Sequence, residues 1–367
     1  MNGTIYMPVG EACSSISDTY REKKNMVTLI NTSDVLEGRV LNHERVPNSN
    51  LKGQFKKTFQ RDDILYSEIR PQNRRFAYVD FSPIDYIAST KLMVIRAKKD
   101  VVSPKYLYYF LKNTSTVAEL QLLAETRSGT FPQITFSEVA NLTIPVPSLA
   151  VQEVIVQTMQ CLEDKTICNE QINDNLQQQA QAIYSSMFID NPDPAWSHGH
   201  LSDLITVKYG KDHKKLADGI YPVYGSGGIM RYVERPLYNK ESVLIPRKGT
   251  LNNVMYVNQP FWSVDTMFYT EMKLPNVAKF VYHFVKAKDL ASMNAGSAVP
   301  SMTTDILNAM EVVIPSASAL EEFESLVAPM YEAMEANDVQ SKALSQMRDT
   351  LLPKLMSGKI DVSSVQL

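Results

Sequence analysis

The sequence of 367 residues has few of the features that mark secreted, membrane-spanning or metal-binding proteins. Its three cysteines, Cys13, Cys161 and Cys168, form no CxxC pair, so neither a disulfide framework nor a cysteine metal site is indicated. No apolar run approaches the roughly 20 residues that cross a bilayer. Residues 1–13 lack the basic and apolar regions of a signal peptide. We therefore expect a cytoplasmic, globular protein.

Motifs for enzymatic chemistry are also missing. The glycine-rich segment 225–228 lacks the Lys-Ser/Thr pair of a phosphate loop and the dinucleotide spacing. A glycine loop that lets the backbone approach a binding partner, or a simple turn, is the better interpretation. His198 and His200 have no third metal ligand nearby. No Asn-Pro-Pro-Tyr methyltransferase motif occurs, so we expect no catalytic residue, no metal site and no cofactor bound by this chain.

What the sequence does contain is a long internal repeat. Residues 132–187 match residues 300–355 at a constant offset of 168, without a gap. Identities are few, but apolar positions stay apolar and Asn169 falls on Asn337. A repeat of this length implies two copies of one large unit, so we expect pseudo-twofold symmetry and not a stack of small repeats.

Each copy of the repeat ends in a segment with helical periodicity. Both apolar stripes have a polar interruption at the same repeat position, near Asn169 and near Asn337, and polar residues inside an apolar seam commonly fix register. We expect the two helices to pair as an antiparallel coiled coil, although helices packed separately on their own domains would show the same stripes. The predicted interface residues are Ile155, Met159, Leu162, Leu176, Ile183, Phe323, Val327, Met330, Leu344 and Leu351.

Charge is distributed unevenly along the chain. The formal net charge is −3, but residues 150–190 carry −5 and residues 318–357 carry −4, which leaves +6 on the remainder. Two acidic segments thus alternate with two basic ones, as expected if only the basic segments face a polyanion.

The segments before the two helices are rich in strand-like runs bounded by Gly, Pro, Asn and Asp. Strands are predicted over 63–69, 91–96, 141–146, 242–245 and 254–257, and one helix per domain over 104–112 and 277–285. The fold class is therefore α+β. The expected organisation is a β-rich domain at 1–148, a long helix at 149–190, a second β-rich domain at 191–316, a second long helix at 317–358 and a tail at 359–367.

This arrangement resembles the specificity (S) subunit of type I restriction-modification systems, the HsdS family. Motifs that carry the resemblance lie at 63–71, 129–134, 144–148, 221–228, 245–250 and 352–360. Their order and duplication are more specific than any one of them. The resemblance covers nearly the whole chain, but the first forty residues match poorly. The second copy also differs, because its segment 296–300 is one residue longer than its counterpart.

The resemblance implies a non-catalytic subunit that recognises double-stranded DNA, with no membrane partner. Each β-rich domain would be a target recognition domain that reads one half of a bipartite site. The helix pair would set the gap between the half-sites and bind methyltransferase subunits, expected to be two, and restriction subunits would join through the complex. S-adenosylmethionine, ATP and Mg²⁺ are expected on those partner subunits.

Basic clusters at comparable places in the two domains are the candidate DNA-binding residues. Long polar side chains among them can form bidentate contacts with base edges. A solvated charged loop is the simpler explanation of any one cluster, but two clusters in a repeated unit favour DNA binding. The candidates are Lys56, Lys57, Arg61, Arg70, Gln72, Asn73, Arg74, Arg75, Arg127 and Ser128, followed in the second domain by Lys208, Lys211, His213, Lys214, Lys215, Tyr224, Ser226, Arg231, Arg247, Lys248 and Asn252.

Two other functions fit the same residues. One is a coiled-coil assembly protein whose β-rich domains bind protein or carbohydrate; the +6 charge outside the helices argues against it. The other is a partner of a fused restriction-methyltransferase enzyme.

Overall fold

The computed structural model describes residues 4–22, 24–49, 53–126, 132–293 and 301–362. The strands of the described residues are β1 Ile5–Pro8, β2 Cys13–Ile16, β3 Met26–Ile30, β4 Val35–Leu36, β5 Arg39–Val40, β6 Val46–Pro47, β7 Phe55–Lys57, β8 Ile64–Ser67, β9 Phe76–Tyr78, β10 Tyr86–Ser89, β11 Leu92–Ala97, β12 Thr143–Val146, β13 Ser197–His200, β14 Ile205–Tyr209, β15 Asp218–Gly225, β16 Gly228–Val233, β17 Ser242–Pro246, β18 Met255–Val257, β19 Trp262–Ser263, β20 Met267–Met272 and β21 Glu311–Ile314.

The helices are α1 Val9–Ala12, α2 Pro104–Lys112, α3 Thr114–Thr126, α4 Phe136–Asn141, α5 Leu149–Ser185, α6 Leu201–Leu204, α7 Ala278–Lys286, α8 Thr304–Asn308 and α9 Ala317–Met356. A π-helical turn, Ser186–Asp190, continues α5, and 3-10 turns occupy Thr32–Asp34 and Pro71–Asn73. No helix in the described part of the chain has an apolar stretch long enough to cross a membrane.

Contacts divide the chain into two compact units, residues 1–168 with 339–367, and residues 169–338. Each unit combines one β-rich domain with part of each long helix. The unit boundaries fall inside α5 and α9, so each long helix belongs partly to one unit and partly to the other.

In the first unit the principal sheet has the strand order β2-β11-β8-β9, and a second sheet has the order β6-β3-β10-β7. Strands β3 and β10 are parallel, whereas the neighbours in the principal sheet are antiparallel. Helix α2 buries Tyr106 and Leu107 in the same apolar cluster as Ile64 and Ile95 of the principal sheet.

The second unit repeats this topology. Its principal sheet has the order β14-β20-β17-β18, and its second sheet has the order β16-β15-β19, in which β15 and β19 are parallel. Each strand of the principal sheet corresponds to a strand of the first unit in the same position. Strand β7 of the first unit has no counterpart among the described residues of the second. The α+β fold of two repeated domains and long helices is thereby confirmed.

The structure also repeats where the two sequences do not visibly match. In the first unit a strand, one helical turn and another strand follow each other as β1, α1 and β2. In the second unit β13, α6 and β14 do the same, 192 residues later. Each opening strand pairs with the strand that precedes a long helix: β1 with β12, and β13 with β21. Cross-strand pairing closes each domain at this point, although the residue types differ.

The two long helices share an apolar cluster within each unit. In the first unit Ile155 and Met159 of α5 belong to the same cluster as Leu352 and Leu355 of α9. In the second unit Ala180 and Tyr184 share a cluster with Phe323 and Val327. An early part of one helix thus meets a late part of the other, as expected for antiparallel neighbours; coiled-coil geometry stays a prediction. The remaining predicted interface residues, Leu162, Leu176, Ile183, Met330, Leu344 and Leu351, are partly buried.

The polar positions of the stripes meet within the second unit. The amide nitrogen of Asn169 donates to the backbone carbonyl of Asn337 at 3.3 Å, and Asn173 donates to the carboxylate of Asp338 at 2.9 Å. Two apolar residues that follow the predicted stripes, Ile172 and Met347, are 39% and 50% exposed. Ile172 is exposed because the neighbouring Asn169 and Asn173 occupy the positions that contact the other helix.

The expectation of one helix per domain was wrong, because the short helices α1, α4, α6 and α8 accompany the predicted ones and the first domain has a further longer helix. Helix α2 has the predicted bounds, but α3 follows it over Thr114–Thr126. The buried face of α3 includes Thr116 and Gln121 beside Val117 and Leu120. Because polar residues interrupt that face, the sequence pattern is not clearly amphipathic, and burial depends on contacts such as the hydrogen bond from the backbone of Gln72 to Oε1 of Gln121.

Candidate nucleic-acid interface

In the second domain the predicted basic loop follows strand β14. Lys211, Lys214 and Lys215 are exposed, and their side chains have no hydrogen bond or salt bridge with the described residues. The backbone amide of Lys214 donates to the carboxylate of Asp212, which lowers the pKa of that carboxyl group. Trp262 donates its indole N–H to the carbonyl of Lys211 at 2.8 Å. The loop backbone is thus fixed while its three ammonium groups remain available.

A second loop, residues 247–253, contacts the turn between β15 and β16. The amide of Asn253 donates to the carbonyl of Ser226 at 2.8 Å. Gly249 has a φ of +88°, and a Cβ there would lie 2.7 Å from Oγ of Ser226, so only glycine fits without a shift. Arg247 lies over the ring of Tyr209, 5.4 Å from its centroid. The predicted residues Ser226, Arg247 and Lys248 are therefore brought together.

Several other candidates of the second domain are held by internal contacts. Arg231 donates to the carbonyl of Leu216 and to the carboxylate of Asp218, each at 2.9 Å. Asn252 donates to Asp289 and accepts from the backbone of Ala291. These contacts give both side chains a structural role in the loops that they join.

The remaining candidates of this domain differ in burial. Tyr224 is buried beside Phe261 and Trp262, and burial raises the pKa of its hydroxyl. His213 is half-buried, and Lys208 lies 3.6 Å from the carboxylate of Glu271 on the neighbouring strand. Tyr224 therefore supports the surface from within and does not form part of it.

In the first domain the candidates at 70–75 form a tight irregular loop. Arg70 and Arg74 both have positive φ, 45° and 52°, and enclose the 3-10 turn Pro71–Asn73. Arg74 donates to the hydroxyl of Thr114 at 3.0 Å, and Arg75 donates to the carbonyl of Ser33 at 3.0 Å. The side chains of Gln72 and Asn73 are exposed at the tip of this loop.

The other basic candidates of the first domain do not lie on the same loop. The ammonium group of Lys57 donates to the carbonyls of Thr90 and Leu92, and burial lowers its pKa. Lys56 is exposed on β7. Arg61 is exposed just before β8, whereas Arg70 follows its other end. Arg127 and Ser128 lie outside the described residues.

Each domain is attached to the long helices by a polar contact at equivalent positions of the repeat. In the first unit the hydroxyl of Tyr109 on α2 donates to Glu163 of α5 at 3.0 Å. In the second unit His283 of α7 and Tyr331 of α9 occupy the corresponding positions, with Nε2 and Oη 2.9 Å apart. Burial lowers the pKa of His283 to about 4, and the charge of Lys286 acts in the same direction.

Buried lysines strengthen both attachments. Lys112 pairs with Glu163 in the first unit, and Lys279 lies 2.5 Å from Glu324 in the second. The side chain of Lys279 is only 5% exposed and also contacts the rings of Tyr256 and Tyr331. Removing one partner of such a pair leaves an uncompensated buried charge. Sequence inspection missed both lysines because nothing nearby in sequence marks their partners.

No cluster of three or more potential metal ligands occurs among the described residues. His198 and His200 lie on strand β13, and the backbone of His200 donates to Asp203 as part of the cap of α6. The candidate surface consists of exposed ammonium and amide groups, most of them on loops, which can bind phosphates and base edges.

Comparison with known proteins gives a consistent result. The model of the type I restriction modification DNA specificity domain matches residues 13–178 and 195–323. The HindI specificity subunit of Haemophilus influenzae is 26% identical, with 91% of this chain and 94% of that protein covered. The MjaIX specificity subunit of Methanocaldococcus jannaschii is 24% identical, with 77% of each covered.

A solved structure supports the fold independently. The S subunit of the type I restriction-modification system from M. genitalium has a TM-score of 0.56 and 17% identity, with 97% of this chain and 96% of that chain covered. At this identity the likeness concerns the fold alone. The family model, in contrast, matches most of the chain and both β-rich domains, so the chain belongs to the type I restriction-modification DNA specificity family.

Proposed function

We propose that this chain is the DNA-recognition subunit of a type I restriction-modification complex, in which each β-rich domain reads one half of a bipartite site. The observation that carries the proposal is the family match over both domains, which share one strand order. Two domains of one topology give two separate reading surfaces on one chain. A split recognition sequence is the simplest target of such a pair.

Phosphate contacts would come from the exposed basic side chains of each domain. In the second domain these are Lys211, Lys214, Lys215 and Lys248, and in the first domain Lys56 and Arg61. Such contacts orient a domain on the duplex without reading sequence. Base edges would be read by amide and guanidinium groups, with Gln72 and Asn73 as the exposed candidates of the first domain.

The long helices would set the gap between the two half-sites and bind the partner subunits. The acidic character of residues 150–190 and 318–357 makes these segments poor DNA ligands and suits them to protein contacts. Two methyltransferase subunits, one for each repeat, fit the internal duplication. S-adenosylmethionine, and ATP with Mg²⁺ for a restriction subunit, would be bound by those partners. The chain itself would carry out no chemistry and would act in the cytoplasm with the host DNA.

The experiment that tests this function is methylome sequencing of the host with and without the gene for this chain. We expect one split motif with a fixed internal gap to be lost on deletion and restored by complementation. If the methylome is unchanged in an actively methylating host, the proposal fails.

The coiled-coil assembly protein has no support from the comparisons. Under that hypothesis, a complex of this chain with a methyltransferase would not bind DNA. If the chain is a recognition subunit, the complex should bind DNA with an affinity that falls steeply as salt increases.

A further inference from the structure

Strands β15 and β16 form a hairpin that has a tight end and an exposed apolar surface. Only Ser226 and Gly227 separate the strands, and Gly228 has a φ of +108°. On β16, Ile229 is 48% exposed and Met230 is 61% exposed. Large apolar side chains at such exposure lie next to the basic loops of the second domain, where DNA contact is proposed.

Met230 is the extra residue of a β-bulge. Arg231 pairs with Val223, but the next pair toward the turn joins Ile229 to Tyr224, which leaves Met230 without an opposite residue. A bulge of this kind redirects a side chain away from the regular alternation of a strand. The Met230 side chain also lies across Gly225, since a Cβ at that glycine would be 2.5 Å from its sulfur atom.

The hairpin is held firmly on the domain. Asn253 donates to the carbonyl of Ser226 at the turn, and Arg231 donates to the carbonyl of Leu216 below it. Val223 and Val233 are fully buried in the apolar cluster under the hairpin. Met230 is therefore presented on a fixed support, as specific contact requires.

The surroundings of the hairpin favour DNA as the ligand of this apolar surface. Arg231 connects the hairpin to the loop that carries Lys211, Lys214 and Lys215, and the turn contacts the loop of Arg247 and Lys248. These five basic side chains around the apolar surface would not be needed to bind a hydrophobic protein partner, whereas they would attract a polyanion. The major groove admits a two-stranded β-ribbon, and the thymine C5-methyl group is the apolar feature that it displays.

On the basis of the proposed function, we propose that the β15–β16 hairpin enters the major groove and that Met230 determines specificity by contacting a thymine methyl group in the half-site of the second domain. In the first domain the corresponding strands β3 and β6 are separated by residues 31–45. The two-residue turn in that segment joins the short strands β4 and β5, whose pairing is regular and has no extra residue like Met230. The contact thus belongs to one half-site only.

The test uses the complex of this chain with its methyltransferase and duplexes that contain the bipartite site. Each thymine is replaced in turn by deoxyuridine, which lacks the methyl group. We expect one replacement, in one half-site, to weaken binding by about four-fold, the effect of one buried methyl group. Met230→Ala should weaken binding to the thymine duplex at least as much and should not respond further to that deoxyuridine. Met230→Leu should retain most of the discrimination.

Leu274→Ala provides the matched control. Leu274 is 38% exposed and follows the end of β20 that pairs with the start of β14, whereas Tyr209, which contacts Arg247, lies at the other end of this strand pair. This variant should respond to deoxyuridine as the wild type does. Thermal unfolding of each complex checks folding. If the wild-type complex binds the site but no deoxyuridine affects it, or if Met230→Ala retains full sensitivity, the inference is overturned while the proposed function stands. If the wild-type complex binds no split site, the proposed function itself fails.

Discussion

The side-chain amide of Asn337 donates a hydrogen bond to Oδ1 of Asn173, 2.8 Å away, and so joins the two long helices within the second unit. Asn173 in turn donates to the carbonyl of Met334 at 3.2 Å. Apolar residues at these positions would pack in several registers, whereas directed hydrogen bonds favour one. The relative position of the helices is therefore fixed where their apolar stripes are interrupted.

Replacing Asn337 with leucine should loosen this contact. The change leaves Oδ1 of Asn173 without its donor, which costs about 1–3 kcal/mol when the group is buried. Because Asn173 is half-buried, we expect an effect at the lower end of that range. The measurement is amide hydrogen exchange over residues 169–176, which should become faster. Asn175→Leu, on the exposed side of α5, is the control and should leave exchange unchanged; equal protection in the two variants would contradict the role of the asparagines.

The stability of the second unit should depend on pH through His283. Its ring is fully buried, with Nδ1 2.8 Å from Oε1 of Gln181, and its pKa is lowered from 6.5 to about 4 by burial. The unfolded chain therefore binds a proton between these pH values that the folded chain does not. The stabilisation is complete above pH 6.5 and is lost as the pH falls toward 4, to a total of about 3 kcal/mol.

Hydrogen exchange in α7, followed from pH 7 to pH 4 and corrected for intrinsic rates, measures this loss. The glutamine of His283→Gln can still form hydrogen bonds but does not titrate. The stability of the variant should therefore vary less between pH 7 and pH 4. Tyr109, at the equivalent position of the first unit, remains neutral because burial raises its pKa. An acid response of α7 that is the same in wild type and His283→Gln would assign the effect to other groups.

The exposed lysines of the second domain should contribute to affinity and not to sequence preference. Replacing Lys211, Lys214 and Lys215 together by glutamine removes up to three phosphate contacts. We expect the slope of log affinity against log salt to decrease by up to about 3. Binding of the methyltransferase complex to specific and random duplexes should weaken by similar factors. Lys240→Gln is the control, since Lys240 precedes β17 at the end opposite to Arg247; a changed methylation motif in the triple variant would instead indicate base contacts.

The proposed spacer role predicts a change of gap when both helices are shortened. Deleting residues 164–167 and 340–343 removes about one turn from each helix, or about 6 Å. At 3.4 Å per base pair, the gap in the methylated motif should shorten by about two base pairs while both half-sites are retained. Deleting residues from one helix alone should disturb the pairing and reduce the stability of the complex. An unchanged gap after the double deletion would contradict the spacer role.

Much of the architecture follows from local patterns in the sequence. The apolar periodicity of residues 149–185 and 317–356 is strong enough to predict two long helices, and β8, β11, β17 and β18 fall on alternating or continuous apolar runs. Helix α3 and the β1-α1-β2 opening were missed. Their burial depends on partners distant in sequence, as when β1 pairs with β12 more than 130 residues later.

The candidate site divides in the same way. The α+β class, the duplication and the separation of acidic helices from basic domains can be predicted from the sequence, because periodicity, offset and charge are properties of the linear chain. Which basic side chains are available can be seen only in the folded structure. Lys57 is bound by the carbonyls of Thr90 and Leu92, and Arg231 by that of Leu216, whereas Lys211 extends from a fixed loop. A side chain's exposure depends on contacts between distant segments, which form only when the chain folds.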